Sequence, residues 1–252
     1  MSDLTLSLQR LSALLELFVR EQRPLSSAAI CAALDAPRSS VAALLKALVQ
    51  LGWLAHDRRA ATYLPTAKFA MLGAWVLEGT LLSRPLLAAV QELQMATGET
   101  VSLSMPADLG LEVTHVTGPD VGIRLVISVG VRLALWGTAI GTAYLTTLAD
   151  PTIRSMYRRA EAGGEPPAAS LRSVMAGVRR ARDQGGIAYA ESAVVPDVAA
   201  VSSPLPEGIA HRTLVVSVGG PASRVRAKRA FIEDELRAWL GRLARTPAAF
   251  RT

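Results

Sequence analysis

The sequence predicts an α+β chain in two parts, a small helical module closed by a β-ribbon and a larger domain built on a largely antiparallel sheet. Three observations predict it. Two short apolar helical stripes, Ile30 with Leu34 and then Val41, Leu44, Leu45 and Leu48, are separated by Asp35-Ala36-Pro37. Two strand-like pieces, residues 53–56 and 62–64, follow Gly52. After residue 84, strand and helix patterns mix without regular βαβ alternation, as in folds whose sheet is antiparallel.

In chain order, Leu8, Leu11, Leu14, Leu15, Phe18 and Val19 keep helical spacing, which gives a supporting first helix that ends before Pro24. Ser26 and Ser27 are capping residues for a second helix. Pro37 suits the first turn of a third, where its missing N–H is no loss, and so short a connection forces the two helices to cross. Arg38, Ser39 and Ser40 stand at the start of the third helix, where free N–H groups and the positive dipole end attract phosphate. Gly52 terminates that helix, and the loop 57–61 between the two strands carries Arg58 and Arg59 at its tip. The layout is that of a winged helix-turn-helix that holds DNA. Arg38, Ser39, Ser40, Ala42, Lys46, Arg58 and Arg59 are the candidate contacts, supplying cations for phosphate, hydroxyls for base edges and a small apolar group for a thymine methyl. Residues 68–82, interrupted by Gly73 and Gly79, read as a connecting helix. The domain bounds are therefore 1–66, a linker helix 67–83, and 84–252.

The larger part begins with an amphipathic helix at 85–97. Strands are expected at 100–105, 111–116 and 125–129, then helices at 139–148, 152–161 and 171–184. Strands at 187–191, 199–204 and 214–218 precede a final helix from Ser223, and Gly163-Gly164-Glu165-Pro166-Pro167 reads as an exposed loop.

Formal net charge is +6 over 252 residues, with a sequence pI near 10.1, which helps approach to a polyanion. Bulk charge decides little, because residues 1–79 hold eight Lys or Arg against six Asp or Glu. The local window says more: Arg38, Lys46, Arg58 and Arg59 against Asp57 leave a clear positive excess on the elements that would face DNA. A single cysteine, Cys31, excludes an intramolecular disulfide framework and fits a reducing compartment. No secretory leader and no long uninterrupted apolar run are evident, so the cytoplasm is expected and no membrane partner. His56, His115 and His211 fall in no metal-ligand spacing, and neither a metal nor a cofactor is expected.

Both halves together resemble the IclR family of bacterial transcriptional regulators. Pro37-Arg38-Ser39-Ser40-Val41 is similar to the family's Pro-Lys-Ser-Thr-Val at the start of the recognition helix. Gly130-Val131-Arg132-Leu133 and Thr138-Ala139-Ile140-Gly141 are similar to its Gly-Ser-Arg-Leu and Thr-Ala-Leu-Gly elements. Gly186-Ile187-Ala188, Pro196, Ser202-Ser203-Pro204-Leu205 and Ser217-Val218-Gly219-Gly220-Pro221 continue the match in order. Departures accompany it: Ala42-Ala43 stand where many members carry His-Arg, Thr142 where they carry lysine, Asp197 where they carry glycine, and Ala193 where they carry an acid. The resemblance implies a GAF-like C-terminal domain that binds an effector, and assembly as a homodimer or homotetramer.

In that domain Thr138 can cap a helix whose first N–H groups, on Ala139, Ile140 and Gly141, form a corner for a carboxylate. Trp136 offers an aromatic wall, Ser202, Ser203 and Ser217 offer hydroxyls, and Asp197 offers a group to orient a ligand hydroxyl or cation. The expected effector is an aromatic or short aliphatic carboxylic acid, and the expected function is ligand-responsive repression or activation without enzymatic activity. Two other readings remain open at this point: a serine-dependent hydrolase-like enzyme, although no Gly-x-Ser-x-Gly elbow is present, and a ligand-free dimerisation domain.

Overall fold

The computed structural model of the chain describes residues 3–76, 82–120, 122–163, 169–193, 195–210 and 212–245. The chain divides into two compact units, residues 1–77 and 78–252.

In the first unit, α1 (Asp3–Glu21) turns Leu14, Leu17 and Phe18 into a core shared with Ile30, Val41, Leu45, Leu48 and Leu54, while Leu8 and Val19 stand exposed. Helix α2 (Ser27–Leu34) starts where the Ser26 hydroxyl accepts the Ala29 N–H at 3.2 Å. It stops at Asp35, whose left-handed backbone (φ +46°) turns the chain. Helix α3 (Arg38–Gln50) follows at 119° to α2, which is the crossing that so short a turn imposes. Pro37 sits at the N-cap rather than inside the first turn, and no side chain caps α3. Strands β2 (Leu54–Asp57) and β3 (Thr62–Pro65) form the ribbon. A two-residue β1 (Leu25–Ser26), which the sequence pattern is too short to reveal, adds a third strand beside β3.

Helix α4 (Ala67–Val76) is the described part of the expected connector; residues 77–81 of that segment lie outside the described residues. Its start is tied to the module. The Thr66 hydroxyl donates to the Gly52 carbonyl at 2.7 Å, and the Lys68 ammonium donates to the Leu51 carbonyl at 3.0 Å while lying 4.3 Å over the Trp53 ring.

The second unit is a six-stranded antiparallel sheet in the order β6-β5-β4-β9-β8-β7. Its strands are β4 (Thr100–Ala107), β5 (Gly110–Thr117), β6 (Arg132–Ala134), β7 (Ala188–Glu191), β8 (Val198–Pro204) and β9 (Val215–Pro221). Side chains alternate across it. One face carries Val101, Leu103, Val201, Val216 and Val218 and packs against α5 (Arg84–Thr97) and α10 (Arg229–Arg245), whose Trp239 indole donates to the Ala89 carbonyl at 2.7 Å. The other face, with Leu111 and Val215, packs against α6 (Ala139–Leu145), α7 (Asp150–Ala162) and α8 (Leu171–Asp183).

Two expectations are corrected. Residues 125–129 are not a strand: they pair with no neighbouring strand, Val129 opens a turn, and the Leu125 carbonyl is held by the Thr100 hydroxyl at 2.8 Å. The edge strand is β6, three residues further on. The final helix is two, α9 (Ala222–Ala227) and α10, which meet at Lys228. Most of the expected loop at 163–167 lies outside the described residues.

Candidate nucleic-acid interface and ligand cavity

The exposed side of α3 follows from what its other side buries. With Val41, Leu45 and Leu48 in the core, helical spacing leaves Arg38, Ser39, Ala42, Ala43, Lys46 and Gln50 facing solvent, and Ser40 half-buried. Ala43 and Gln50 were missed by the sequence reading; the repeat of Ser39, Ala43, Lys46 and Gln50 at three or four residues was the available signal.

At the ribbon tip, the Asp57 carboxylate accepts the N–H groups of Arg59 (2.8 Å) and Ala60 (3.1 Å). Those two bonds hold its pKa below the ordinary carboxylate value, with a smaller push from His56. The turn so formed presents Arg58 and Arg59 outward. His56 stacks on Tyr63 at 4.4 Å between ring centroids and stiffens the ribbon behind them. Among the described residues, none of the Arg38, Lys46, Arg58 and Arg59 side chains is engaged in an ion pair or hydrogen bond. Four unpaired cations therefore lie on α3 and the ribbon tip, free to meet phosphates.

The second unit holds a half-open cavity of about 130 Å³ between the sheet and α6. Of the residues expected at a ligand site, Thr138, Ala139, Ile140 and Ser217 line it. Trp136, Gly141, Asp197, Ser202 and Ser203 do not, each for a local reason. Trp136 is packed edge-on against Tyr157 (5.3 Å) in the helical core. Ser202 and Ser203 are neighbours on one strand, so only one can face α6; Ser203 turns to the other face and bonds the Pro204 carbonyl. Ser202 has the right face but is wholly buried beside Ser217, its partner across β8 and β9, the two hydroxyls 2.7 Å apart. Asp197 sits in a left-handed turn (φ +59°), where its N–H donates to the Ser192 hydroxyl and its carbonyl accepts the Ala222 N–H.

Gly141 is consumed by construction. Its N–H donates to Thr138 Oγ1 at 2.9 Å, Thr138 in turn donates to the Ala134 carbonyl, and a Cβ at 141 would overlap the backbone of Leu135. Gly141→Ala is therefore expected to cost at least about 1–3 kcal/mol, since the obstacle is backbone and cannot rotate away. Denaturant unfolding measures it, and a loss under about 0.5 kcal/mol, the range of a neutral surface change, would contradict this packing.

What the sequence reading did not find is the cavity floor. Thr100, Gly219, Ala200 and Ala190 sit side by side on β4, β9, β8 and β7 and all four line the cavity. One step along, Ser102 pairs with Ser217 and Ser217 with Ser202, which places a row of hydroxyls next to the row of small residues. Leu125 and Ile127 of the segment before β6 close over the top. That strap is pinned by Thr100 and by Arg224, whose guanidinium donates to the Ile123 carbonyl at 2.9 Å. Arg224 is itself fixed by the wholly buried Glu99, with two hydrogen bonds of 2.5 and 2.6 Å that raise its pKa.

A winged helix-turn-helix with unpaired cations on its reading surface, followed by a sheet-and-helix domain with a cavity, defines a DNA-binding regulator with an effector domain. The comparisons with known proteins give the family. Residues 7–58 match the family model described as the IclR helix-turn-helix domain, and residues 76–248 the one described as bacterial transcriptional regulator IclR C-terminal. The chain belongs to the IclR family of bacterial transcriptional regulators. It is 30% identical over 136 residues to the glycerol operon regulatory protein of Streptomyces coelicolor, a match covering 54% of this chain and 53% of that one, so the chain spans about half the length of that relative. Its fold is that of an IclR transcriptional regulator from Alicyclobacillus acidocaldarius (TM-score 0.71, 20% identity, 98% of each chain). The IclR structure from Thermotoga maritima is equally similar (TM-score 0.70, 16% identity, 96% of this chain and 98% of that one). No single helix among the described residues is long and apolar enough to cross a membrane.

Proposed function

We propose that the chain binds a two-fold operator as a homodimer or homotetramer in the cytoplasm, and that a small metabolite in the cavity against α6 changes operator affinity without being turned over. The observation that carries the DNA half is the set of unpaired side chains Arg38, Lys46, Arg58 and Arg59 around one exposed helix face. On this reading Arg38, Ser39, Ser40, Ala42 and Lys46 enter the major groove and Arg58 and Arg59 lie along the backbone or in the minor groove. Pairing of copies is supported by Met71 and Leu72, large apolar side chains exposed on α4, within the proposed linker 67–83.

Effector and DNA act on each other by linkage: a coupling of about 1–3 kcal/mol changes operator affinity roughly 5- to 150-fold. The relative from Streptomyces coelicolor carries control of an operon in its name, which agrees with this role. Of the two properties expected of the effector, a ring-sized or short aliphatic body agrees with a cavity of about 130 Å³. The carboxylate is less well supported, because Gly141 already uses its N–H on Thr138, which leaves Ala139 and Ile140 of the expected corner, and no cation lines the cavity.

Arg38→Ala tests the DNA reading. Affinities for the operator and for a scrambled duplex, measured at one salt concentration, should converge as the operator loses about 1–3 kcal/mol that the scrambled duplex does not. Equal losses on both duplexes would remove Arg38 from base readout.

A further inference from the structure

We infer that the cavity against α6 selects a neutral, largely apolar molecule of about one six-membered ring that carries a single hydrogen-bonding group, and that it rejects carboxylates. The inference rests on the effector-sensing reading above and narrows it to a chemical class.

The lining supplies no charge. Every described residue around the cavity is Ala, Gly, Val, Leu, Ile, Ser or Thr, and nearly all of the surface they present is carbon. Of the nearby cations, Arg224 is committed to Glu99, Arg226 to Glu191 and Arg229 to Glu233, while Arg124 and Arg132, on the strap and β6, donate to the Pro119 and Ala107 carbonyls and do not line the cavity. Helix α6 has only seven residues, and its Gly141 N–H is used by Thr138. A carboxylate entering here would give up part of its hydration for two backbone N–H groups and the Ser102 hydroxyl at most, with no cation in the lining to offset that loss.

Shape and polarity then fix what does fit. About 130 Å³ is a little less than the roughly 150 Å³ of an apolar cavity that stays dry and takes up benzene. The row Thr100, Gly219, Ala200 and Ala190 makes a flat floor for an apolar body, with Leu125 and Ile127 above it. Larger side chains anywhere in that row would fill the space. At Gly219 roof and floor already meet, since a Cβ there would stand 3.1 Å from Leu125 Cδ2, so the ring-sized space lies elsewhere along the row.

Polar capacity is confined to one end. Thr100 and Thr138 both donate to main-chain carbonyls, of Leu125 and Ala134. Ser217 shares its hydroxyl with Ser202. Ser102 alone among the lining hydroxyls has no hydrogen-bond partner among the described residues, although it is only 6% exposed. It stands beside Ser217 across β4 and β9, so the two give a ligand one donor and one acceptor at a single point. That is the requirement of an alcohol, a phenol, or a ketone or ester carbonyl.

Toluene, benzyl alcohol and benzoate share one ring and differ in that group, so they are the probes. Calorimetric titration at neutral pH should give binding of benzyl alcohol at least tenfold tighter than of benzoate. Ser102→Ala should weaken benzyl alcohol about fivefold, the value of one neutral hydrogen bond, and leave toluene within about twofold of its original affinity. Ala190→Leu should abolish both by filling the floor; should that variant fail to fold, as judged by circular dichroism, the Ser102→Ala comparison stands by itself. Benzoate binding as tightly as benzyl alcohol, and losing affinity with Ala190→Leu, would overturn the neutral class while leaving a sensing cavity. Failure of all three probes at millimolar concentration would overturn the cavity's sensing role as well. Binding of benzyl alcohol unchanged by either substitution would place it elsewhere and overturn the inference.

Discussion

Alanine at both Arg58 and Arg59 is expected to lower affinity for any duplex by roughly 30-fold per wing at 0.15 M salt, with little change in the preference for one sequence over another. The two guanidinium groups stand on a turn that Asp57 ties to its own backbone, and no carboxylate neutralises them among the described residues. Each phosphate they neutralise releases counterions, so losing two contacts should also flatten the slope of log affinity against log salt by about 1.8. On the proposed reading Arg38→Ala removes a base-edge contact and should change preference, whereas the wing pair should change strength. Fluorescence anisotropy across a salt series separates them, and an unaltered slope in the double variant would take the wing off the DNA.

Arg224→Ala should destabilise the second unit by about 3–5 kcal/mol, far more than Glu99→Gln. Glu99 is wholly buried and its two carboxylate oxygens are held by the Arg224 guanidinium; only the Lys228 ammonium, 3.9 Å away, stands in reserve. Removing the arginine leaves a buried carboxylate without its main partner. Removing the glutamate charge leaves an arginine whose side chain is already 35% exposed and can turn to water. At about 2–4 °C per kcal/mol for a unit of this size, the arginine variant should melt about 10 °C lower. Arg224 also pins the Ile123 carbonyl, so the same variant should loosen the strap over the cavity and weaken benzyl alcohol binding. Equal melting temperatures for the two variants would mean that the pair is not the buried lock described.

The helix-turn-helix was legible because its signals are local. Capping by Ser26, the break at Asp35-Ala36-Pro37 and the stripe Val41, Leu45, Leu48 each depend on residues within a few positions of one another. The short strand β1 was not, since two residues carry no period. In the larger domain the alternation of β4, β8 and β9 was readable, but register was not. Only register brings Ser102, Ser217 and Ser202 into one row and Thr100, Gly219, Ala200 and Ala190 into the next. Residues 125–129 show the opposite failure: their alternation is real, with Leu125 and Ile127 turned inward to the cavity and Val126 outward, yet alternation does not supply the backbone partner that would make them a strand. Trp136 drew attention as an aromatic near a cap, and its packing on Tyr157 is a contact between residues 21 positions apart that no short window contains.

The central claim is that an exposed helix face and a ribbon tip read DNA in this chain. Selection of bound fragments from sheared bacterial genomic DNA by the purified 252-residue chain, followed by sequencing, tests it most directly. The account predicts a small set of enriched fragments sharing a two-fold sequence, whose enrichment falls by the factor that about 1–3 kcal/mol implies with Arg38→Ala, while weak, salt-sensitive retention of all fragments persists. Fragments recovered in proportion to their abundance, or none recovered even at low salt, would contradict it.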